Sequence, residues 1–213
     1  MNRYSSRSPS RFQDISKYIE SSDEFFIEFG CASGETLDEI LNISPSKRVL
    51  GFDLEVNPNL DFKAHECDMN NFDFNEYSTD LRLADVFLFL DVLEHLNEPW
   101  NFLNKLSAFM KIGSRLIISC PNFSSVRFLR AYLQGEMPLE EFGYFDRTHL
   151  RWFTPNSLIR SIDSKNYNAS YSYLKSTKSY IRILQTFWPS RLCSQFILVL
   201  TLAEESPSRI FDK

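Results

Sequence analysis

The stretch FFIEFGCASGETLDEI, residues 25–40, decides the fold. Phe25–Phe29 has the apolar pattern of a buried strand and runs directly into Gly30, Cys31, Ala32, Ser33 and Gly34, after which Glu35–Ile43 has helical spacing. Strand, small-residue turn and helix in that order open a parallel α/β unit. Small residues at 30, 32 and 34 allow a ligand close to the backbone, because a Cβ there would occupy the ligand's place. The helix start presents unpaired N–H groups at the same point.

The pattern outside this stretch repeats the alternation. Residues 48–54 form a second strand, introduced by the turn SPSK, and 61–67 a third, followed by an irregular acidic stretch to Asp80. Residues 85–90 are apolar on both faces, as a central parallel strand should be. Pro99 suits a first helical position, and Trp100, Phe102, Leu103, Leu106 and Phe109 make an apolar stripe expected to run until Gly113 closes the helix. A fifth strand, 115–120, stops at Pro121. Residues 122–146 are aromatic and irregular around a helix at 125–133, and Thr154 with Pro155 starts another helix, to about 164. Two last strands, 169–174 and 195–203, flank a variable segment holding Trp188 and Pro189. The expected organisation is a basic segment and helix at 1–22, one domain at 23–205 with an insertion at 122–153, and a tail at 206–213.

Composition bounds the function. A chain of 213 residues with 43% hydrophobic and 24% charged residues is a globular domain rather than a disordered one. Ordinary glycine usage of about 7% would give roughly 15; there are six, so each marks a place where backbone bends or comes close. Gly135 and Gly143 bracket the acidic part of the insertion and are expected to act as hinges. The net charge of −5 argues against general affinity for nucleic acid. Cys31, Cys67, Cys120 and Cys193 match no zinc or Cys-x-x-Cys spacing and read as reduced core thiols of a cytoplasmic protein. The longest apolar runs, 86–90 and 196–200, are far short of a membrane span. Arg3, Arg7 and Arg11 lie in a serine-rich start without an apolar core, which is not a secretory signal.

Two cofactor classes use a glycine turn of this kind. A dinucleotide site wants Gly-x-Gly-x-x-Gly, but the last position of that frame is Glu35, a carboxylate where a pyrophosphate would lie. A nicotinamide oxidoreductase is therefore the weaker alternative. Asp53 ends the VLGFDL strand 23 residues after Gly30, where an acid can accept hydrogen bonds from ribose hydroxyls.

Glu28 with the turn that follows resembles the first motif of class I S-adenosylmethionine-dependent methyltransferases, an acid followed by Gly-x-Gly-x-Gly, with Ala32 in place of the middle glycine. LADVFLFLDVLEHLNEP, residues 83–99, resembles the fourth-strand segment of a subgroup whose strand opens into a Leu-Glu-His turn. PWNFLNKLSAFMKIGSRLIISCPN and FDRTHLRWFTPNSL continue the resemblance, so the blocks fall in order over residues 25–161. The resemblance implies a doubly wound, mostly parallel seven-stranded sheet with helices on both faces and an antiparallel final strand. It implies S-adenosylmethionine as cofactor, held by Glu28, Gly30, Cys31, Ala32, Gly34, Asp53, Leu54, Asp68, Met69, Leu90 and Asp91, with Asp68 and Met69 toward the adenine. The subgroup includes small-molecule O-methyltransferases and proteins of surface-polysaccharide synthesis, so a hydroxyl on a small-molecule or sugar-containing acceptor is expected.

A hydroxyl acceptor must lose its proton, and a histidine near neutrality is a suitable base. His95, after the central strand, and His149, in the FDRTHLRWF block, are the candidates; the alternative role of each is to brace its own turn. His65 reads as a surface or structural residue. A metal site built from Asp91, Glu94, His95 and Asn122 competes for this inventory, but no carboxylate-rich ligand pattern is complete and no metal is expected. The acceptor pocket is expected to be closed by the insertion, with Asn122, Tyr144 and Phe145 touching the acceptor beside Phe123, Phe128, Tyr132 and Phe142. Methylation of nucleic-acid bases is disfavoured, because the Asp/Asn-Pro-Pro-aromatic motif is replaced by Leu90-Asp91-Val92-Leu93. A non-catalytic binding or scaffold subunit on the same fold is the remaining alternative.

Overall fold

The computed structural model describes residues 11–162, 166–175 and 179–203, so the tail at 206–213 and the first ten residues lie outside the described residues. One sheet of seven strands organises the chain: β1 (Phe25–Phe29), β2 (Arg48–Asp53), β3 (Ala64–Glu66), β4 (Val86–Leu90), β5 (Arg115–Pro121), β6 (Tyr167–Leu174) and β7 (Gln195–Leu202), in the spatial order β3-β2-β1-β4-β5-β7-β6. The first five strands are parallel, and β7 lies antiparallel between β5 and β6. The order reverses between β1 and β4, and in such sheets ligands bind in the crevice beyond the strand ends at that reversal.

Strand alternation sorts the side chains into two cores. Phe25, Ile27 and Phe29 of β1 join Phe87 and Phe89 of β4 and Leu116 and Ile118 of β5 on one face. Phe26, Val86, Leu88, Ile117 and Ile197 point to the other, against Leu37 and Ile40 of α2 (Glu35–Ile43) and Ile15 of α1 (Phe12–Ile15). Nine of the chain's 20 phenylalanines are buried in the first core. Phe29 stacks on Phe52 at 5.2 Å and on Phe89 at 4.8 Å, with Phe72 and Phe102 edge-on, so a row of rings crosses β2, β1 and β4 just beneath the crevice.

Four helices depart from the sequence expectation. The acidic stretch to Asp80 contains a 3-10 turn, Met69–Asn71, and the start of α3 (Ser78–Leu83), which buries Leu81. The helix begun by Pro99, α4 (Pro99–Ser107), stops at Ser107; Gly113 sits instead in the Lys111–Ser114 turn and donates its N–H to Leu202. The variable segment forms α7 (Ser179–Phe187) and α8 (Pro189–Leu192). The insertion carries α5 (Val126–Leu133), and α6 (Pro155–Ser161) starts at Thr154 with a reciprocal cap to Ser157, as its sequence predicts. Gly135 and Gly143 take φ of +72° and +98°. Among the described residues no helix is long and apolar enough to cross a membrane.

Candidate active site

The turn after β1 alternates left-handed residues: Gly30 at φ +77°, Ala32 at +48° and Gly34 at +88°. Its glycines answer to the chain itself. A Cβ on Gly30 would stand 2.3 Å from Val92 Cγ2, and one on Gly34 2.5 Å from Leu60 Cδ2. Gly51 of β2 is needed in the same way, since its Cβ would meet the Cys31 sulfur at 2.7 Å. Cys31 is thus a packing residue of the turn, buried, with its thiol pushed up by that burial and by the charge of Glu28. The turn closes by hydrogen bonds from the N–H groups of Gly30 and Cys31 to the carbonyl of Phe52, at 2.7 and 3.2 Å.

Two buried carboxylates flank it. Asp53, at the end of β2, accepts the N–H of Ala32 at 2.7 Å, so the second strand fixes the turn of the first. Glu28 shares the sheet face of Phe26 and is 3% exposed, with Oε2 buried and without a partner among the described residues. Burial, then the charges of Asp53 and Glu35, push its carboxyl up to about 8. A group that retains its proton here is poised to respond to a cation or donor arriving in the crevice. Glu35 accepts the Ser33 hydroxyl through both oxygens, at 2.5 and 2.6 Å.

The remaining expected cofactor residues divide. Leu54 is exposed beside Asp53, and Leu90 is buried at the end of β4. Asp68 is exposed but its carboxylate caps its own turn, accepting Asn70 N–H and the Asn71 amide at 2.9 Å each, while Met69 packs into the core. Asp91 takes φ +59° directly after β4, which turns its carboxylate into the crevice, where Ser119 and Gln195 donate to Oδ1 at 2.9 and 2.8 Å. Arg11 completes this group: its guanidinium donates to Asp91 Oδ2 at 2.7 Å and to Gln195 at 3.0 Å. Sequence reading placed Arg11 in a basic terminal segment; nothing local signals that a residue 80 positions away will meet it.

Beyond Asp91 the Leu-Glu-His turn is a 3-10 helix, Leu93–His95, and the FDRTHLRWF block packs against it. The carbonyl of Glu94 accepts the N–H groups of both Leu150 and Arg151, at 2.7 and 3.0 Å. This docking brings His95 and His149 to a ring separation of 4.8 Å. His95 Nδ1 lies 3.0 Å from Thr148 Oγ1 and 3.2 Å from the Thr148 carbonyl, and the Thr148 hydroxyl donates to Asp146 at 2.6 Å. A carbonyl only accepts, and the hydroxyl proton is committed to Asp146, so Nδ1 carries a proton and Nε2 of the neutral ring is the free lone pair.

His149 has a nearly buried side chain, with Nε2 4.0 Å from Glu94 Oε1; burial, then the charge of His95, lower its pKa. Glu94 is 1% exposed, and burial, then Asp91, raise its carboxyl well above the ordinary range. Among the described residues, Glu94, His95 and His149 are the group whose donor atoms all lie within 4.8 Å of one another. Asn122 is not part of it.

The three residues expected at the acceptor, Asn122, Tyr144 and Phe145, are all buried, and their side chains are engaged within the fold. Asn122 is fully buried and its amide spans to the carbonyls of Ser190 and Cys193, at 2.8 and 2.9 Å, while Oδ1 accepts from Ser124. The Tyr144 hydroxyl is spent on Ser125 and the Asn122 carbonyl. Phe145 packs with Phe128, Ala131 and Tyr144 in a small core that holds the insertion together. His65 lies half-buried against Phe52 and Tyr77, away from the crevice.

A family model described as a methyltransferase domain matches residues 3–169. A search of curated proteins finds no match. Solved structures share the fold. A SAM dependent methyltransferase from Archaeoglobus fulgidus is 18% identical with TM-score 0.58, over 89% of this chain and 91% of that one. The plantazolicin methyltransferase BamL, in complex with a triazolic desmethylPZN analog and SAH, is 12% identical with TM-score 0.64, over 95% and 89%. BpumL, a second plantazolicin methyltransferase, also with SAH, is 14% identical with TM-score 0.61, over 95% and 89%. Matched over most of its length, and built on the sheet order and crevice described above, the chain belongs to the methyltransferase domain family.

Proposed function

We propose that the chain transfers a methyl group from S-adenosylmethionine to a hydroxyl of a small-molecule or sugar-containing acceptor, with His95 as general base. The observation that carries this reading is the Asp146–Thr148–His95 relay, in which Nδ1 donates to Thr148 and Nε2 is the basic nitrogen of the neutral ring. S-adenosylmethionine supplies a methyl carbon already activated by its sulfonium. The protein's part is alignment, for which effective molarity can supply roughly 7–11 kcal/mol, and removal of the acceptor proton.

Asp53 would accept the ribose hydroxyls, and Glu28 and Asp91 would meet the cationic end of the methionyl group. Arg11, already held against Asp91 and Gln195, fits the methionyl carboxylate. The Glu35 carboxylate suits a cofactor without a pyrophosphate. His149 supports His95 through ring contact, and buried Glu94 approaches His149 Nε2 at 4.0 Å.

Calorimetry with S-adenosylhomocysteine, followed by acceptor screening with mass detection of one added methyl, tests the reading. Failure of folded protein to bind it would end the proposal.

A further inference from the structure

We infer that the outward faces of α5 and the α7–α8 hairpin form one docking surface for an anionic lipid bilayer. Both elements are turned the unusual way for surface helices. In α5 the buried face is narrow, Phe128 and Ala131, while Leu129, Tyr132 and Leu133 look outward, with Tyr132 and Leu133 74% and 73% exposed. Among the described side chains of α7 the buried one is polar: Gln185 donates to the carbonyl of Leu192 at 2.9 Å, whereas Phe187 is 83% exposed and the following Trp188 63%. A globular surface helix normally does the opposite.

The two faces belong to one surface because α8 ties them. Ser124, just before α5, donates to the carbonyl of Ser190 at 2.9 Å, and Arg191 of α8 donates back to the Ser124 carbonyl at 3.1 Å. Asn122 spans the same joint.

Charge selects the occupant. The chain carries −5 overall, yet residues 164–203 contain five basic and no acidic residues, and residues 122–135 contain Arg127 and Arg130 and no acid. Arg130, Arg182 and Arg191 are exposed and form no ion pair among the described residues; Arg127 pairs with Glu140 at the margin. Exposed leucine, tyrosine, phenylalanine and tryptophan fringed by arginine is the chemistry of a face lying in the headgroup boundary. Two copies meeting through the α7–α8 face would set arginine against arginine. Nucleic acid would leave Leu133 and Phe187 without a use. Docking here would rest the bilayer against the insertion that follows β5, close to the mouth of the crevice.

The test is co-sedimentation of the full chain with vesicles of phosphatidylcholine alone and of phosphatidylcholine mixed with phosphatidylglycerol. Binding to the mixed vesicles, weakening as salt rises, is expected. The double variant L133S/F187S should weaken it roughly tenfold or more through lost apolar burial, and R130E/R182E by a similar factor through lost charge. Circular dichroism of each variant confirms the fold. On the unaltered chain, a blue shift of tryptophan emission on adding mixed vesicles, absent in W188F, reports the same contact without a destabilising change. The inference is overturned if the mixed vesicles are not bound, if both double variants bind as the parent does, or if the surface instead supports a dimer that L133S/F187S dissolves.

Discussion

The guanidinium of Arg11 holds the carboxylate of Asp91 at 2.7 Å, joining the first described residue of the chain to the end of β4. Gln195, at the start of β7, meets both partners, so three distant segments converge over the crevice. Such a contact has little use as a surface ion pair, which contributes about 0–1 kcal/mol. On the proposed function its value is to position Arg11 for the cofactor. Arg11→Ala should therefore weaken S-adenosylhomocysteine about tenfold or more by calorimetry, in the range of a lost charged hydrogen bond, while leaving the melting temperature nearly unchanged. Unchanged affinity would remove Arg11 from the cofactor site.

The relay to His95 makes a second prediction. His95→Ala should lower kcat by about 10²–10⁴ with KM little altered, the range of a general base. Thr148 acts through His95, so Thr148→Val should lower kcat in the same direction, and Thr148→Ser, which restores the hydroxyl, should recover most of it. Recovery is the deciding readout, since a purely structural role for Thr148 gives no reason for the smaller serine to restore turnover.

Much of this arrangement is legible before any coordinates. The strands that build the crevice and the turn at Gly30–Gly34 follow from apolar runs and small residues that local chemistry constrains, whereas the bond from the Ala32 N–H to Asp53 joins residues 21 apart and shows only in the fold. The aromatic patch of the insertion is different. Tyr144 and Phe145 have the composition of a pocket wall, but composition does not tell which side of a short helix faces inward, and they form a private core with Phe128. Asn122 was similarly ambiguous: its partners are carbonyls of α8, an element whose helical character is masked by Trp188, Pro189 and a short span. Arg11 and the tautomer of His95 depend on contacts across the fold, which no window of sequence contains.

Glu28 links the site to stability. Its ordinary value of 4.5 applies to the unfolded chain, and the folded value is about 8. Between these the unfolded state has lost a proton that the native state keeps, so stability should fall as pH rises from about 5 to 8 by up to about 1.4 kcal/mol per pH unit, then level off. Glu94, raised for the same reason of burial, adds a term of the same sign. Denaturant titrations should show the slope flattened in Glu28→Gln and, separately, in Glu94→Gln. A parent protein whose stability is flat over this window would contradict the burial of both acids.

The Glu94, His95 and His149 group makes chelation informative. If His95 Nε2 takes the acceptor proton, prolonged treatment with EDTA should leave turnover unchanged. Loss of turnover restored by adding a divalent cation would reassign the three side chains to a metal and displace His95 as base.

The Gly30 turn permits a test in which two costs separate. Gly30→Ala places a Cβ at a backbone φ of +77°, which costs about 1–2 kcal/mol for an L residue, and drives it against Val92 Cγ2 at 2.3 Å, an overpacking worth about 1–3 kcal/mol more. Val92→Ala removes the obstructing methyl while leaving the backbone demand. The double variant should therefore be more stable than the two single changes sum to, by roughly the overpacking share, and still less stable than the parent. Strict additivity would mean that β4's following turn yields freely at Val92, and that the close approach of the Gly30 and Asp91 turns does not hold the crevice in shape.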